Sequence, residues 1–381
     1  MKKTLIKNAH VISPDMDINN ASVLIEGKLI AGIYAPGEAL PNADIAIDAE
    51  GQMLAPGFID IHCHGSAGHD FCDGTPEAVD AIAKNKLKEG VTSILATTLT
   101  VSEKQLTSAL KAVSSYMSAD PEGAKIPGIH LEGPFINPEC AGAQNPEFIR
   151  KPDIEMIKRL HSIFPISKVS YSIELEGAME FTRQLAELDI MPSCAHSAAK
   201  YSDLKKASAL GLKHMTHFCN AMSPLHHLEF GLVGGGMLNK DIFVEMICDG
   251  IHLCPEMIQL IFEVKGPDKT MLITDAMRAA GMPDGKYDLG GMSATVRDGC
   301  ARLESGCVAG STLLYHKGLK HVRDITGLPL KQLIKATSWN QARSLGLPRL
   351  GKIESGFIAD IILLDEDLNP SVIFVDGKPT K

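Results

Sequence analysis

Between residues 55 and 350, short apolar runs alternate with helix-like segments, and this alternation limits the fold more than any other feature. The runs are Phe58–Ile61, Ser93–Thr97, Ile126–Leu131, Val169–Ile173, Pro192–Ala195, His214–His217, Phe243–Ile247 and Met271–Ile273. Helical segments separate most of them: Glu77–Glu89, Glu103–Met117, Ile154–Leu160, Ala178–Glu187, Tyr201–Leu210 and Pro255–Glu263. Eight strands with helices between them read as a parallel (β/α)8 barrel of the α/β class. A doubly wound sheet is the rival, but it calls for a Gly-rich fingerprint after its first strand, and none stands there. Gly285, Gly290-Gly291, Gly299 and Gly306 mark residues 283–306 as a β-hairpin insertion after the last barrel strand.

The two ends read as strands without helices. Thr4–Ile6, Val11–Ile12, Ser22–Ile25, Leu29–Ile33 and Ile45–Asp48 are rich in branched residues and split by Asn, Gly and Pro turns. Ile358–Leu364 and Val372–Val375 repeat the pattern, the latter followed by an Asp376-Gly377 turn, and Gly27-Lys28 and Gly377-Lys378 fit hairpin tips. Each end is too short to enclose a core alone. Residues 1–54 and 351–381 are therefore expected to form one small β-sandwich domain beside the barrel of 55–350.

Composition narrows the function. A chain of 381 residues that is 45% hydrophobic and 22% charged is neither disordered nor fibrous. Its net charge of −9, with no basic block, argues against nucleic acid and anionic membrane as partners. Nine cysteines, an odd number with no C-x-x-C pair, suggest neither a disulfide framework nor a zinc ribbon. The opening MKKTLIKNAHVIS is interrupted by Lys7, Asn8 and His10, so no signal-peptide core forms, and no run approaches the roughly 18 apolar residues of a membrane span. A cytoplasmic location is expected. The count that stands out is 14 histidines, against one tryptophan and six tyrosines.

Several of those histidines fall at strand ends, where barrel enzymes build their sites. His62 and His64 are two residues apart and so share one face of the first strand. The third strand ends in His130-Leu131-Glu132, the fifth delivers His196, the sixth His217 and the eighth Asp275. A lone strand-end histidine is more often a hydrogen-bonded rim residue than a ligand. Six candidates from five strand ends are not explained that way. Imidazole and carboxylate without thiolate suit one or two divalent transition ions, zinc, iron or cobalt, in a catalytic setting. Cys63 points to the opposite face. With His62 and His64 on one ion, His196 and His217 on another and Glu132 between them, the chemistry is metal-assisted hydrolysis of a carbonyl compound. Asp275 sits at the same site as proton shuttle.

The run Ala55-Pro56-Gly57-Phe58-Ile59-Asp60-Ile61-His62-Cys63-His64-Gly65 resembles the opening of the amidohydrolase superfamily. His130-Leu131-Glu132-Gly133-Pro134-Phe135, Thr216-His217-Phe218-Cys219-Asn220-Ala221-Met222, Asp249-Gly250-Ile251-His252 and Thr274-Asp275-Ala276-Met277 are similar to the N-acetylglucosamine-6-phosphate deacetylase family. The resemblance covers nearly the whole chain. It implies metal ligation by Glu132, His196 and His217, with His62 and His64 making a second ion feasible and Asp275 as catalytic acid and base. It further implies that His252 contacts the substrate and polarises the acetamide, and that Ala143-Gln144, Asn220-Ala221 and Val308-Ala309-Gly310 hold the sugar phosphate. A homodimer is implied as well. One departure matters. Where the family carries a phosphate-binding arginine, this chain reads His226-His227-Leu228-Glu229-Phe230-Gly231. Either His226, His227 or another cation compensates, or the substrate is a less charged N-acetylated sugar. The expected activity is deacetylation of N-acetylglucosamine 6-phosphate. An unphosphorylated sugar is the alternative, and a non-catalytic scaffold a more distant one.

Overall fold

Apolar, branched residues set eight short parallel strands in the computed structural model, which describes residues 2–119 and 121–380. The strands are β1 (Phe58–Cys63), β2 (Val91–Thr98), β3 (Lys125–Glu132), β4 (Ile166–Tyr171), β5 (Met191–Cys194), β6 (His214–Met215), β7 (Phe243–Ile247) and β8 (Thr270–Ile273). Each pairs with its successor in chain order. A parallel bridge between Cys63 and Ala276, with the Asp275 N–H donating to the His62 carbonyl at 2.8 Å, brings β8 back against β1. The sheet is thus a nearly closed (β/α)8 barrel, as the alternation predicts. No helix among the described residues is long and apolar enough to cross a membrane.

The helices begin where local chemistry satisfies their free N–H groups. Thr75 caps Pro76–Lys88, with proline at the first turn, and Ser102 with Gln105 forms a reciprocal capping box on Glu103–Ser118. Gly231–Leu238 between β6 and β7 is a helix that periodicity does not announce, since four of its eight residues are glycine. Packing explains it: a Cβ on Gly236 would stand 2.5 Å from the Phe218 ring and 2.7 Å from the Met215 sulfur. Side chains there would push the helix off the barrel wall, so close approach overrides poor helix propensity.

β5 and β6 end earlier than the apolar runs suggest. β5 stops at Cys194 and β6 at Met215 because the residues that follow leave extended geometry: His196 has φ 46° and His217 φ 34°.

At the chain ends, Thr4–Ile6 and Val11–Ile12 belong to one strand, Lys3–Ser13, whose register shifts around Asn8 at φ 54°. That bulge lets its first half pair with Ile45–Asp48 and its second half with Met53–Pro56. Met53–Pro56 in turn pairs antiparallel with Ile361–Leu364, so one eight-stranded sheet draws on both ends of the chain. Its core contains Ile6, Val11, Ile25, Leu54, Ile361 and Phe374. The C-terminal hairpin turns on Asp376-Gly377, because Val375 pairs with Lys378.

Beyond β8 the insertion has three strands, not two: Gly285–Leu289, Met292–Arg297 and Cys300–Leu303. Gly290-Gly291 and Asp298-Gly299 each make a two-residue turn with both φ values positive, the geometry that suits right-twisted hairpins.

Candidate active site

The C-terminal ends of the barrel strands bring six side chains to one point. His62 and Glu132 lie on β1 and β3, and His64 directly follows β1. His196, His217 and Asp275 each sit two residues past β5, β6 and β8, and all three have positive φ. This left-handed geometry is costly for residues other than glycine and is tolerated where the surroundings hold it. It turns each side chain from the strand end into the barrel mouth.

The distances form two linked groups. His196 Nε2 and His217 Nε2 are 3.1 Å apart, and lie 3.6 and 3.1 Å from Glu132 Oε1. His62 Nε2 and His64 Nε2 are 3.2 Å apart, each 3.2 Å from Asp275 Oδ1 and 3.5 and 3.2 Å from Glu132 oxygens. Glu132 joins both groups, and each contains three side chains whose ligand atoms could hold a metal ion. Ligand atoms on one tetrahedral ion stand about 3.3 Å apart at ordinary zinc–nitrogen distances, close to this spacing. The ring nitrogens facing the opposite way agree: Nδ1 of His62, His64 and His217 is buried without a hydrogen-bond partner. Four imidazoles thus turn their Nε2 atoms toward each other, and three of them leave Nδ1 unpaired, an arrangement that a shared cation accounts for.

Electrostatics point the same way. Burial pushes the His62 imidazole down, but the Asp275 and Glu132 carboxylates outweigh it and hold it up at about 9. His64 is raised well above its ordinary value against the same burial. Burial would raise Glu132, yet His62, His196 and His217 keep it well below the usual carboxylate range. Asp275 is likewise held low, burial being outweighed by His62 and His64. Two buried carboxylates in this cage draw in positive charge, as protons or as metal.

The support around the cage is specific. Gln144 donates from Nε2 to Glu132 Oε2 at 2.5 Å while its Oε1 accepts the Thr100 N–H at 2.7 Å. His196 Nδ1 meets the Cys140 carbonyl at 2.8 Å. Asp249 accepts the N–H groups of Ile251 and His252 and meets His252 Nδ1 at 2.7 Å. The neighbouring carboxylate raises the His252 imidazole although burial lowers it.

Above the cage opens a cavity of about 280 Å³. Ala143, Gln144, Asn220, Ala221, His252, Val308 and Gly310 line it together with His64, Glu132, His196, His217 and Asp275. Ala309 does not: it is fully buried and its N–H donates to the Ala301 carbonyl, so its side chain faces the core. His227 is also outside the wall, exposed and packed on His226 with ring centroids 4.2 Å apart. Sequence reasoning missed Leu99, Gly142, Ile247, Leu289 and Cys307 in the wall. Leu289 ends the first strand of the inserted sheet, so the insertion's turn glycines were the one available signal. A larger cavity of about 590 Å³ lies elsewhere, against Lys84, Lys125 and Asp376, away from the cage.

A parallel barrel whose strand ends gather four histidines and two carboxylates defines the class, a hydrolase site of the amidohydrolase type. Residues 53–380 match the Amidohydrolase family. The N-acetylglucosamine-6-phosphate deacetylase of Bacillus subtilis is 37% identical over 370 residues, covering 95% of this chain and 93% of that one. The N-acetylgalactosamine-6-phosphate deacetylase of Escherichia coli is 34% identical over 354 residues, 92% and 93% of the two chains. Among solved structures, the N-acetylglucosamine-6-phosphate deacetylase of Thermotoga maritima superposes with a TM-score of 0.90 at 34% identity over 99% of both chains. A Mycobacterium smegmatis variant solved with N-acetyl-D-glucosamine-6-phosphate gives 0.93 at 28% identity over 100% of both. The chain belongs to the amidohydrolase superfamily and, within it, to the N-acetylglucosamine-6-phosphate deacetylase family.

Proposed function

We propose that this chain is a metal-dependent deacetylase that hydrolyses the acetamide of N-acetylglucosamine 6-phosphate to glucosamine 6-phosphate and acetate, a step of amino-sugar catabolism. The observation that carries this reading is the position of Asp275, whose Oδ1 is 3.2 Å from both His62 and His64 Nε2 on the wall of the same cavity as His252. Glu132, His196 and His217 would hold one divalent ion, and His62 and His64 with Glu132 and Asp275 a second; zinc, iron or cobalt suits the donor set. Such an ion polarises the carbonyl and makes water a competent nucleophile at neutral pH.

Asp275 takes a proton from the attacking water as its oxygen bonds to the carbonyl carbon. The same carboxyl then delivers that proton to nitrogen as the C–N bond breaks, so acetate and the free amine leave. His252, fixed by Asp249 on Nδ1, presents Nε2 to the carbonyl oxygen and stabilises charge developing there. Ala143, Gln144, Asn220, Ala221, Val308 and Gly310 shape the sugar site. Residues 1–54 with 351–381 are read as a supporting β domain. The working unit is taken as a cytoplasmic homodimer, for which the exposed Leu225 and Leu228 offer an apolar surface.

One observation favours a second reading: among the described residues lining the cavity there is no lysine or arginine. That would suit an unphosphorylated N-acetylated sugar. Comparing kcat/KM for N-acetylglucosamine, N-acetylgalactosamine and their 6-phosphates decides between them. The 6-phosphate of the glucosamine derivative should be preferred by at least about tenfold, the equivalent of one charge-assisted hydrogen bond. A preference for the free sugar would overturn the first reading.

A further inference from the structure

A phosphate dianion in a low-dielectric cavity needs a fixed cation beside it, above all the forked guanidinium of arginine. The cavity wall holds none, and Leu228 on the loop beyond β6 is 83% exposed with no charge to offer. The inserted sheet brings one to the rim.

Arg302 stands on the strand Cys300–Leu303, and Val308 follows the turn after it. The Leu303 N–H donates to the Cys307 carbonyl at 2.9 Å and the Ala309 N–H to the Ala301 carbonyl at 3.0 Å, so Arg302 and Val308 are directly opposite between those bonds. Side chains of such a pair leave the same face with Cβ atoms about 4.5–5.5 Å apart. Val308 is part of the cavity wall; Arg302 therefore flanks that wall. The other face of the sheet carries the buried Ala294, Val296 and Ala301 together with Leu289 and Cys307 of the wall, so the guanidinium stands on the solvent side of the rim.

The Arg302 guanidinium is exposed, and its one bond among the described residues runs from Nη1 to the Gly306 carbonyl at 2.9 Å. It makes no ion pair with any described residue, and its remaining donors are free. Its charge reaches the cavity, where it opposes protonation of His252. The same row continues outward across the sheet, with Thr295 opposite Arg302 and Lys286 opposite Thr295. In an N-acetylhexosamine 6-phosphate the acetamide and the phosphate occupy opposite ends of the sugar. With the acetamide at the cage, the phosphate faces outward, toward the rim.

We propose that Arg302 is the phosphate anchor of this cavity, a specificity-determining residue that takes the part for which the loop at Leu228 has no cation, with Lys286 adding attraction at longer range. The proposal rests on the deacetylase reading above. Its test is the steady-state kinetics of the wild type, Arg302→Ala and Arg302→Lys on N-acetylglucosamine 6-phosphate and on N-acetylglucosamine, with inhibition by inorganic phosphate measured alongside. Arg302→Ala should raise KM for the 6-phosphate by about 10–100-fold, the weight of a charge-assisted hydrogen-bond pair, while kcat moves less than about threefold. The preference for phosphorylated over free sugar should collapse by the same factor, inhibition by inorganic phosphate should weaken, and Arg302→Lys should recover part of each loss. Unchanged KM and phosphate inhibition in Arg302→Ala, with a wild type that uses the 6-phosphate, overturn the anchor and leave the deacetylase reading standing. A wild type inactive on N-acetylglucosamine 6-phosphate overturns the two together.

Discussion

Asp275 shows how much work a single residue's placement does at this site. Its φ of 50° turns the carboxylate away from the line of β8, and its N–H holds the His62 carbonyl at 2.8 Å, so the two strand ends that flank the reaction are tied at that residue. Asp275→Asn preserves shape but removes the proton acceptor. Activity should fall by about 10²–10⁴-fold, the usual weight of general acid–base catalysis, while the protein still binds metal through its histidines and Glu132. Steady-state assays with elemental analysis of the purified variant check this, and retained activity would sink the assigned role. At this scale the sequence was unusually legible. His62, His64, Glu132, His196, His217 and Asp275 could be named because strand-end position and residue type coincide. The Cys140 carbonyl that holds His196 Nδ1 could not, since a backbone group has no signature in the residue it belongs to.

Among the elements, the barrel interior beneath the cage departs from the branched apolar filling usual in this architecture. Lys168 on β4 meets Glu245 on β7 at 2.7 Å, and His214 on β6 meets the same carboxylate at 3.1 Å; all three are fully buried. Strands β4 and β7 are not neighbours, so this contact crosses the lumen. A second chain runs from His130 through Ser170 and Thr216 to Ser193, with steps of 2.7, 2.7 and 2.6 Å. Glu245→Gln would leave Lys168 as an uncompensated buried charge and should cost about 3–5 kcal/mol of stability, measurable by denaturant unfolding. Burial alone would raise the Glu245 carboxyl, but Lys168 and His214 hold it down to about 2. Its folded value lies below the unfolded one of about 4.3, so its stabilisation is complete above that value and is lost as pH falls toward 2. The loss of stability between about pH 4.5 and 2 should therefore be shallower in Glu245→Gln than in the wild type. Periodicity found six of the helices but not Tyr315–Thr326, Leu330–Ile334 or Gly231–Leu238; the glycines of the last serve contacts with Phe218 and Met215 that are distant in any local reading.

For the whole molecule, the cage draws ligand atoms from the ends of β1, β3, β5, β6 and β8, so an ion held there would couple five of the eight strands. Removal of metal by a chelator should abolish activity and lower Tm by about 5 °C. That figure corresponds to about 4 kcal/mol of binding free energy spread over the unfolding entropy of a chain this long. Calorimetry before and after chelation, with zinc or cobalt restored, tests it; an unchanged Tm would mean that the histidines satisfy one another without an ion.

What the sequence determined by itself was the order of strands and helices and the kind of chemistry at their ends. Both depend on patterns a few residues long: apolar runs, the two-residue alternation of a strand, and the placement of imidazole and carboxylate at a strand's exit. Tertiary structure alone decided which atoms converge. It set Nε2 of four histidines around Glu132, turned Ala309 into the core, left His227 outside the wall, and stood Arg302 beside Val308. Those outcomes depend on barrel closure and on cross-strand register, contacts between residues up to more than two hundred positions apart, and no local pattern in the chain encodes such distances.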